Sequence, residues 1–271
     1  MAAGTTGRYP LERRAGEIER LLLQSACMAH ETAYMLDRIG IRRGWHCLDI
    51  GCGPGGITAA LAERTGLEGR VVGLDADPVF LDHAREHAAA GVEFVADNAF
   101  ASSFPDASFD LVHIRCLASS AGSPEALYRE ALRLTKPGGV LALQEPDMDR
   151  LASFPSNAAF DRLKTALIGA FAAAGTDICL GQKLFSIVLN LRLADVLFRP
   201  FLLGFRADDP MRDYLPLTAL SLRRAMLRAG LMTEAELAET IEACRAHLAD
   251  PKTVTTLYAV VQVWGRKPVN V

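Results

Sequence analysis

Lysine is scarce in this chain, with five residues against 24 arginines. Neither sign of charge dominates: 29 basic residues face 32 acidic ones, for a formal net charge of −3. No global cationic field is present to gather nucleic acid or an anionic membrane surface. The arginines are spread along the chain, which fits a GC-rich genome better than a phosphate-binding patch. Long apolar runs are missing as well, and nothing approaches the ~18 residues of a transmembrane helix. The first residues, MAAGTTGRYPLERRAGEIER, place no apolar segment behind their charges, so no signal peptide is expected. Six cysteines form no C-x-x-C pair. Reduced thiols in a cytoplasmic protein are expected, with no disulfide and no metal site.

What is present is ordinary globular composition, 50% hydrophobic and 23% charged. The 271 residues allow one large domain, or one domain with a substantial addition. Leu11, Ile18, Leu21, Leu22, Met28, Met35, Leu36 and Ile39 recur at helical spacing and predict helix over 11–39. From Trp45 strands and helices alternate. Strands are predicted at 46–50, 70–74, 92–96, 109–114 and 139–144, and helices at 57–64, 78–90 and 124–134. Short apolar strands alternating with helices predict a doubly wound, Rossmann-like α/β sheet covered on both faces. Beyond Glu145 the spacing predicts helices at 157–174, 181–193, 211–229 and 234–248. Strands are predicted there at 196–205, interrupted by Pro200, and at 255–265. A strand so near the C-terminus ties the helical part back into the sheet. The expected organisation is an N-terminal helical lid (1–44), a cofactor-binding core (45–145), and helical cap insertions with the last two strands of the same sheet (146–271).

The densest signal is Leu48-Asp49-Ile50-Gly51-Cys52-Gly53-Pro54-Gly55-Gly56, between the first strand and the helix after it. Glycine permits positive φ and close approach of a ligand to the backbone. The following helix offers its free amides and the positive end of its dipole. Gly51, Gly53 and Gly56 satisfy G-x-G-x-x-G, which by itself fits a dinucleotide equally well. Asp75 ends the second strand, where a carboxylate accepts from ribose hydroxyls. Asp49 stands where a dehydrogenase would be expected to carry an apolar residue. Asp97-Asn98-Ala99 follow the third strand, where an acceptor can read an exocyclic amine of adenine.

The runs LDIGCGPG, VVGLDAD, FVADNAF, FDLVHIRCL and KPGGVLALQEP occur in this order across 45–146. Together they resemble the class I, Rossmann-like S-adenosylmethionine-dependent methyltransferases of the small-molecule type. The resemblance implies a seven-stranded, mainly parallel sheet whose last strand is antiparallel and inserted between the fifth and sixth. It implies S-adenosyl-L-methionine as cofactor and S-adenosyl-L-homocysteine as product. By the same resemblance Gly51, Cys52 and Gly53 would face the cofactor's amino-acid moiety. Asp75 would hold the ribose, with Ala76 beside the adenine. Asp97 would hold the adenine amine, with Asn98 and Ala99 alongside. His113 to Arg115 would flank the methionine side, and Gln24 would reach the cofactor from a lid.

A sulfonium methyl is already electrophilic, so the cofactor carries the hard chemistry. The protein must align the acceptor, exclude water and, for some acceptors, take a proton. His113, Glu145 and Asp147 are the candidates for a catalytic base. His30 and Tyr34, four residues apart on one helix, are candidates for the acceptor pocket. His83 and His87 share that spacing but belong to a helix away from the pocket, and read as a solvent-exposed pair. Nucleic-acid amino methyltransferases of this fold resemble one another in an Asn/Asp-Pro-Pro-aromatic signature. Here that place reads His113-Ile114-Arg115-Cys116-Leu117-Ala118. The expected partner is therefore a small methyl acceptor, with no nucleic acid and no membrane. Phe154, Phe160, Leu163, Phe171, Leu184, Phe185 and Leu189 have core spacing, and part of this set would line an apolar or aromatic acceptor site. The expected activity is methyl transfer to O, N or C of a small organic molecule, in specialised metabolism, by a monomer or homodimer. Two rivals stay open: an NAD(P)-binding oxidoreductase using the same glycines, and a non-catalytic, methyltransferase-like partner protein that binds the cofactor.

Overall fold

The computed structural model describes residues 16–269. Its first five strands are β1 (His46–Ile50), β2 (Arg70–Asp75), β3 (Val92–Ala96), β4 (Phe109–Arg115) and β5 (Thr135–Asp147). They are followed by β6 (Ala152–Phe154), β7 (Ala194–Phe201), β8 (Gly204–Arg206), β9 (Val254–Thr256) and β10 (Ala259–Arg266). Seven of them form the main sheet in the order β3-β2-β1-β4-β5-β10-β7. β1 to β5 pair in parallel, whereas β10 runs antiparallel between β5 and β7. This is the doubly wound, seven-stranded architecture expected from the sequence.

Helices cover both faces because alternate residues of each strand point to opposite sides. Leu48 and Ile50 pack on one side with Leu127 and Leu134 of α6 (Pro124–Leu134) and with Leu184 and Val188 of α8 (Gly181–Leu189). Cys47 and Leu111 pack on the other with Met35 and Leu36 of α2 (Ala29–Ile39) and Leu61 of α3 (Thr58–Thr65). α1 (Glu17–Cys27), α4 (Pro78–Glu86) and the short α5 (Ala118–Ala121) complete the first half. A third apolar cluster lies within the C-terminal helices. It joins α7 (Ala158–Ala173), α9 (Tyr214–Ser221), α10 (Arg223–Arg228) and α11 (Glu234–Leu248). None of these helices is long and apolar enough to cross a membrane.

Several boundaries differ from the sequence reading. The helix expected over 11–39 is two helices, α1 and α2, parted at the buried Met28; its start at Leu11 lies outside the described residues. The helix expected over 211–229 is a 3-10 turn followed by α9 and α10. Pro216 explains the first break: it cannot donate a hydrogen bond to the turn before it, so it sits in the first turn of a new helix. The two late strands each divide in two. β7 and β10 belong to the main sheet, while β8, β9 and β6 form a separate sheet in the order β6-β9-β8. Both strands change sheet at one level, where the Leu257 N–H donates to the Leu203 carbonyl at 2.8 Å. Pro200 is accommodated because β7 is an edge strand.

Candidate functional site

A cavity of about 900 Å³ runs along the edge of the main sheet where β1 to β5 end. Because β10 is antiparallel, its beginning meets that same edge. Strand order divides the cavity into two halves, one over β3, β2 and β1 and the other over β4, β5 and β10.

The first half is built by strand ends and the glycine loop. Gly51 (φ +74°) and Gly53 (φ +53°) both turn through the left-handed region. A Cβ on Gly51 would stand 2.9 Å from Leu117 Cδ2, whereas one on Gly53 would meet nothing within 4 Å. Gly51 and Cys52 donate their N–H groups to the Leu74 carbonyl at 2.7 and 3.0 Å, pinning the loop to the end of β2. Asp75 Oδ2 accepts the Gly53 N–H at 2.8 Å, and its Oδ1 accepts the Asp77 N–H at 2.9 Å. Burial raises the Asp75 pKa above the ordinary carboxylate value, against the pull of these amides. Asp97 accepts from the Ser103 N–H and O–H at 2.8 and 2.7 Å, which hold its pKa below the ordinary value. Its other oxygen accepts the Asn98 N–H at 2.7 Å.

Gln24, Gly51, Gly53, Asp75, Ala76, Asp97, Asn98, Ala99 and Arg115 all line the cavity. Cys52 lines a small adjoining recess of about 90 Å³, shared with Asp49, Gly53 and Arg115. Arg115 donates through Nη2 to Ser25 Oγ at 2.8 Å, while its buried Nη1 has no hydrogen-bond partner among the described residues. A buried donor without a partner is costly, and beside the glycine loop it is suited to an anionic group.

The second half is closed by α1, α7 and α9. Its apolar wall includes Leu21, Leu117, Met148, Phe171 and Ile178. Its polar groups are Glu17 and Arg20 of α1, Cys116, Ser120, Tyr214 and Thr218 of α9, and Tyr258 at the bend before β10. Arg20 pairs with Glu17 and donates to Gln24 Oε1 at 3.0 Å, and Gln24 in turn donates to the Tyr258 hydroxyl. Burial lifts the Cys116 thiol and the Tyr214 phenol to about 12, and the Tyr258 phenol well above its ordinary value. These groups keep their protons at neutral pH.

Five candidates from the sequence do not reach this cavity. His113 is fully buried and both ring nitrogens are engaged, Nδ1 with Asp49 Oδ1 at 2.7 Å and Nε2 with Gln144 Nε2 at 2.9 Å. The amide donates to Nε2, so the proton sits on Nδ1 and points at Asp49. The row continues through Gln262, which donates to Gln144 Oε1 at 2.9 Å, and Arg199, which donates to Gln262 Oε1 at 3.1 Å. His113 lies one pleat deeper than Arg115, beneath α2, and is a member of this buried row. Glu145 is also fully buried. It accepts from the Ala118 and Ser119 N–H groups at 3.1 and 3.2 Å and from the Tyr128 hydroxyl at 3.1 Å, fixing the turn into α5. Asp147 caps the 3-10 turn Met148–Arg150 and accepts from Gln182 at 2.8 Å. His30 is exposed, and Tyr34 lies under Arg199 at 4.4 Å on the outer flank near β7. His83 of α4 and His87, the residue after that helix, stack at 4.3 Å beside Glu86, off the cavity.

A family model described as a methyltransferase domain matches residues 41–179. The chain is similar to a sterol 24-C-methyltransferase of Eremothecium gossypii, 33% identical over 202 residues that cover 70% of this chain and 50% of that protein. It is similar to a trans-aconitate 2-methyltransferase of Paracidovorax citrulli, 36% identical over 119 residues that cover 44% of each. The chain spans half or less of the length of these two relatives. The solved structure of the YcgJ protein of Bacillus subtilis superposes with a TM-score of 0.59 at 17% identity, covering 89% of this chain and 99% of that one. At that identity the likeness is one of fold.

Proposed function

The chain belongs to the methyltransferase-domain family, and from that premise we propose that it transfers the methyl group of S-adenosyl-L-methionine to a small organic acceptor, releasing S-adenosyl-L-homocysteine. The observation that carries the reading is one continuous cavity with two chemically different halves. The half over β1 to β3 carries two carboxylates for hydroxyl and amine donors and the close-approach glycines of the loop, and at its border with β4 stands Arg115, whose Nη1 has no partner among the described residues. That donor set fits a cofactor bearing a ribose, an adenine and an amino-acid carboxylate. Asp75 would hold the ribose, Asp97 the adenine, and Arg115 with Gly51 and Gly53 the amino-acid end, with Gln24 closing from α1. When bound, the cofactor supplies an activated methyl group.

The chain's own residues align the acceptor and exclude water. α1, α7 and α9 wall the second half with apolar side chains, which favours an acceptor with an apolar body. Among the described residues no histidine lines the cavity, and its phenols and thiol hold their protons. This arrangement suits a nucleophile that attacks without first losing a proton to the protein, an electron-rich carbon or an unprotonated amine. Six free thiols agree with a cytoplasmic setting. The test is calorimetric titration: S-adenosylhomocysteine should bind with a micromolar Kd, and NAD(H) or NADP(H) should not bind. Tight NAD(P) binding without S-adenosylhomocysteine binding would turn the reading to the oxidoreductase.

A further inference from the structure

Away from the cavity, the last turn of α4 brings together three side chains that can ligate a metal. His83, Glu86 and His87 stand at i, i+3 and i+4, the spacing that shares one helical face. Each offers one ligand atom, and the three atoms lie within 4.8 Å of one another. The two imidazole rings stack with centroids 4.3 Å apart and planes 26° from parallel. Glu86 and His87 are exposed and His83 is half-buried, so an ion can reach the group from solvent.

The end of the helix fixes how His87 presents itself. A helix that stops leaves its last carbonyls without main-chain partners. α4 stops at Glu86, and the His87 main-chain N–H turns to the Arg85 carbonyl. The His83 carbonyl is met instead by the His87 ring, 2.9 Å from Nδ1. A carbonyl only accepts, so Nδ1 carries the proton and the lone pair of the neutral ring stands on Nε2. A ring N–H donating to a backbone carbonyl is the outer contact that orients a metal-binding histidine and raises its basicity. The neighbouring cation, Arg85, is directed elsewhere: it donates to Asp82 at 2.9 Å and to the Phe94 carbonyl at 3.2 Å.

We propose that His83, Glu86 and His87 form a binding site for a divalent transition-metal ion of the zinc class. Two imidazoles and a carboxylate suit Zn²⁺, Ni²⁺ and Cu²⁺, and disfavour Mg²⁺ and Ca²⁺, which take oxygen ligands. Three protein ligands leave one tetrahedral position to water. Ligands held at ~2.0–2.2 Å by a tetrahedral ion stand roughly 3.4 Å apart, so the side chains must rotate inward, and their exposure permits it. The ion would tie together the last turn of a helix whose cap residue is His87 and not a glycine. Phe80, one turn earlier, lines the cavity, so the two sites share a helix without sharing a residue. In the sequence the histidines read as a solvent-exposed pair; Glu86 beside them and the Nδ1 contact are what the structure adds.

The test is calorimetric titration of Zn²⁺ into the full, reduced chain carrying no polyhistidine tag. Zn²⁺ should bind with a micromolar Kd, and Mg²⁺ and Ca²⁺ should not bind at the same concentrations. Even the outer partner of a ligating histidine is worth roughly 10- to 100-fold in metal affinity. His83→Ala and His87→Ala should therefore each weaken Zn²⁺ binding at least tenfold, and Glu86→Gln several-fold. The free thiols are the rival ligands, and Co²⁺ separates the two cases: the wild-type complex should show d–d bands without thiolate-to-metal charge transfer. Zn²⁺ should also raise the melting temperature of the wild type and not that of the double variant His83→Ala, His87→Ala. The metal-free melting temperature of that variant should stay near the wild-type value, because these side chains are not part of the core. Absence of Zn²⁺ binding below millimolar concentration, equal binding of Mg²⁺, charge-transfer absorption, or an affinity unmoved by both histidine variants would each overturn the site. The methyl-transfer reading uses none of these residues and stands apart from the result.

Discussion

The side-chain amide of Gln24 donates to the hydroxyl of Tyr258, joining α1 to a residue 234 positions later in the chain. One partner lies in the helix over the cavity and the other at the bend where β9 hands over to β10. The contact latches the N-terminal helix across both halves of the cavity.

Removing the phenol oxygen tests this latch. Tyr258→Phe leaves the half-buried Gln24 amide without its acceptor, at a cost of about 1–3 kcal/mol in stability. S-adenosylhomocysteine should bind several-fold more weakly, with a similar loss in Gln24→Ala. A double-mutant cycle on binding should give a coupling of about 1 kcal/mol; strictly additive losses would mean that the two residues act separately.

Asp75 has two roles, since both oxygens hold backbone amides of the loops they would share with the cofactor. Asp75→Ala removes a charged acceptor and loosens Gly53. The expected loss of S-adenosylhomocysteine affinity is about 2–3 kcal/mol, some 30- to 150-fold. Asp75→Asn keeps one acceptor and should fall between. Unchanged affinity in the alanine variant would remove the ribose assignment.

Glu145 should make stability depend on pH. Burial lifts its pKa from 4.5 to about 7, outweighing the hydrogen bonds it accepts. Below the unfolded value both states hold the proton. Between the two values the unfolded chain releases its proton while the folded chain keeps it, so this contribution falls as pH rises and is fully lost above the folded value. The loss amounts to about 3 kcal/mol. Urea unfolding of wild type and Glu145→Gln from pH 4 to 8 isolates it: the difference should shift toward the glutamine variant by about that amount. A pH-independent difference would contradict the assignment.

Gly51→Ala tests the loop. Its φ of +74° is strained for any residue with a Cβ, and the new methyl group would press on Leu117. A stability loss of about 1–2 kcal/mol is expected from the backbone alone, with weakened cofactor binding. Gly53→Ala meets open space, so its stability cost should be confined to the backbone.

The parts of the site written into the sequence are those set by one strand and the turn after it. Gly51, Gly53, Asp75 and Asp97 each lie at or just beyond the end of a parallel strand, and parallel strands end on one edge, so finding the strands places these residues together. His113 shows the limit of that logic. It stands two residues before Arg115 on the same face, yet one pleat separates a side chain that meets the cavity from one sealed under α2. Glu17, Arg20 and Tyr258 were beyond local reading because their burial at the cavity is set by how α1 and α9 pack. A sequence sign did exist for Tyr258: Leu257, Tyr258, Ala259 and Val260 are apolar in succession, which breaks the alternation of the strand. The fold was legible in its layers and less so in its late strands, because their division between two sheets depends on a shared bend.

The row from Arg199 through Gln262, Gln144 and His113 to Asp49 donates in one direction, from a cation to a carboxylate. It spans β7, β10, β5, β4 and β1 in their order across the sheet. Apolar strands can slide by two residues and still bury equivalent surface. Here such a slip in β10 or β5 would strand several buried polar groups at once. The row thus acts as a registration pin: it selects one alignment of the inserted antiparallel strand, and with it the position at which Tyr258 meets Gln24 of α1.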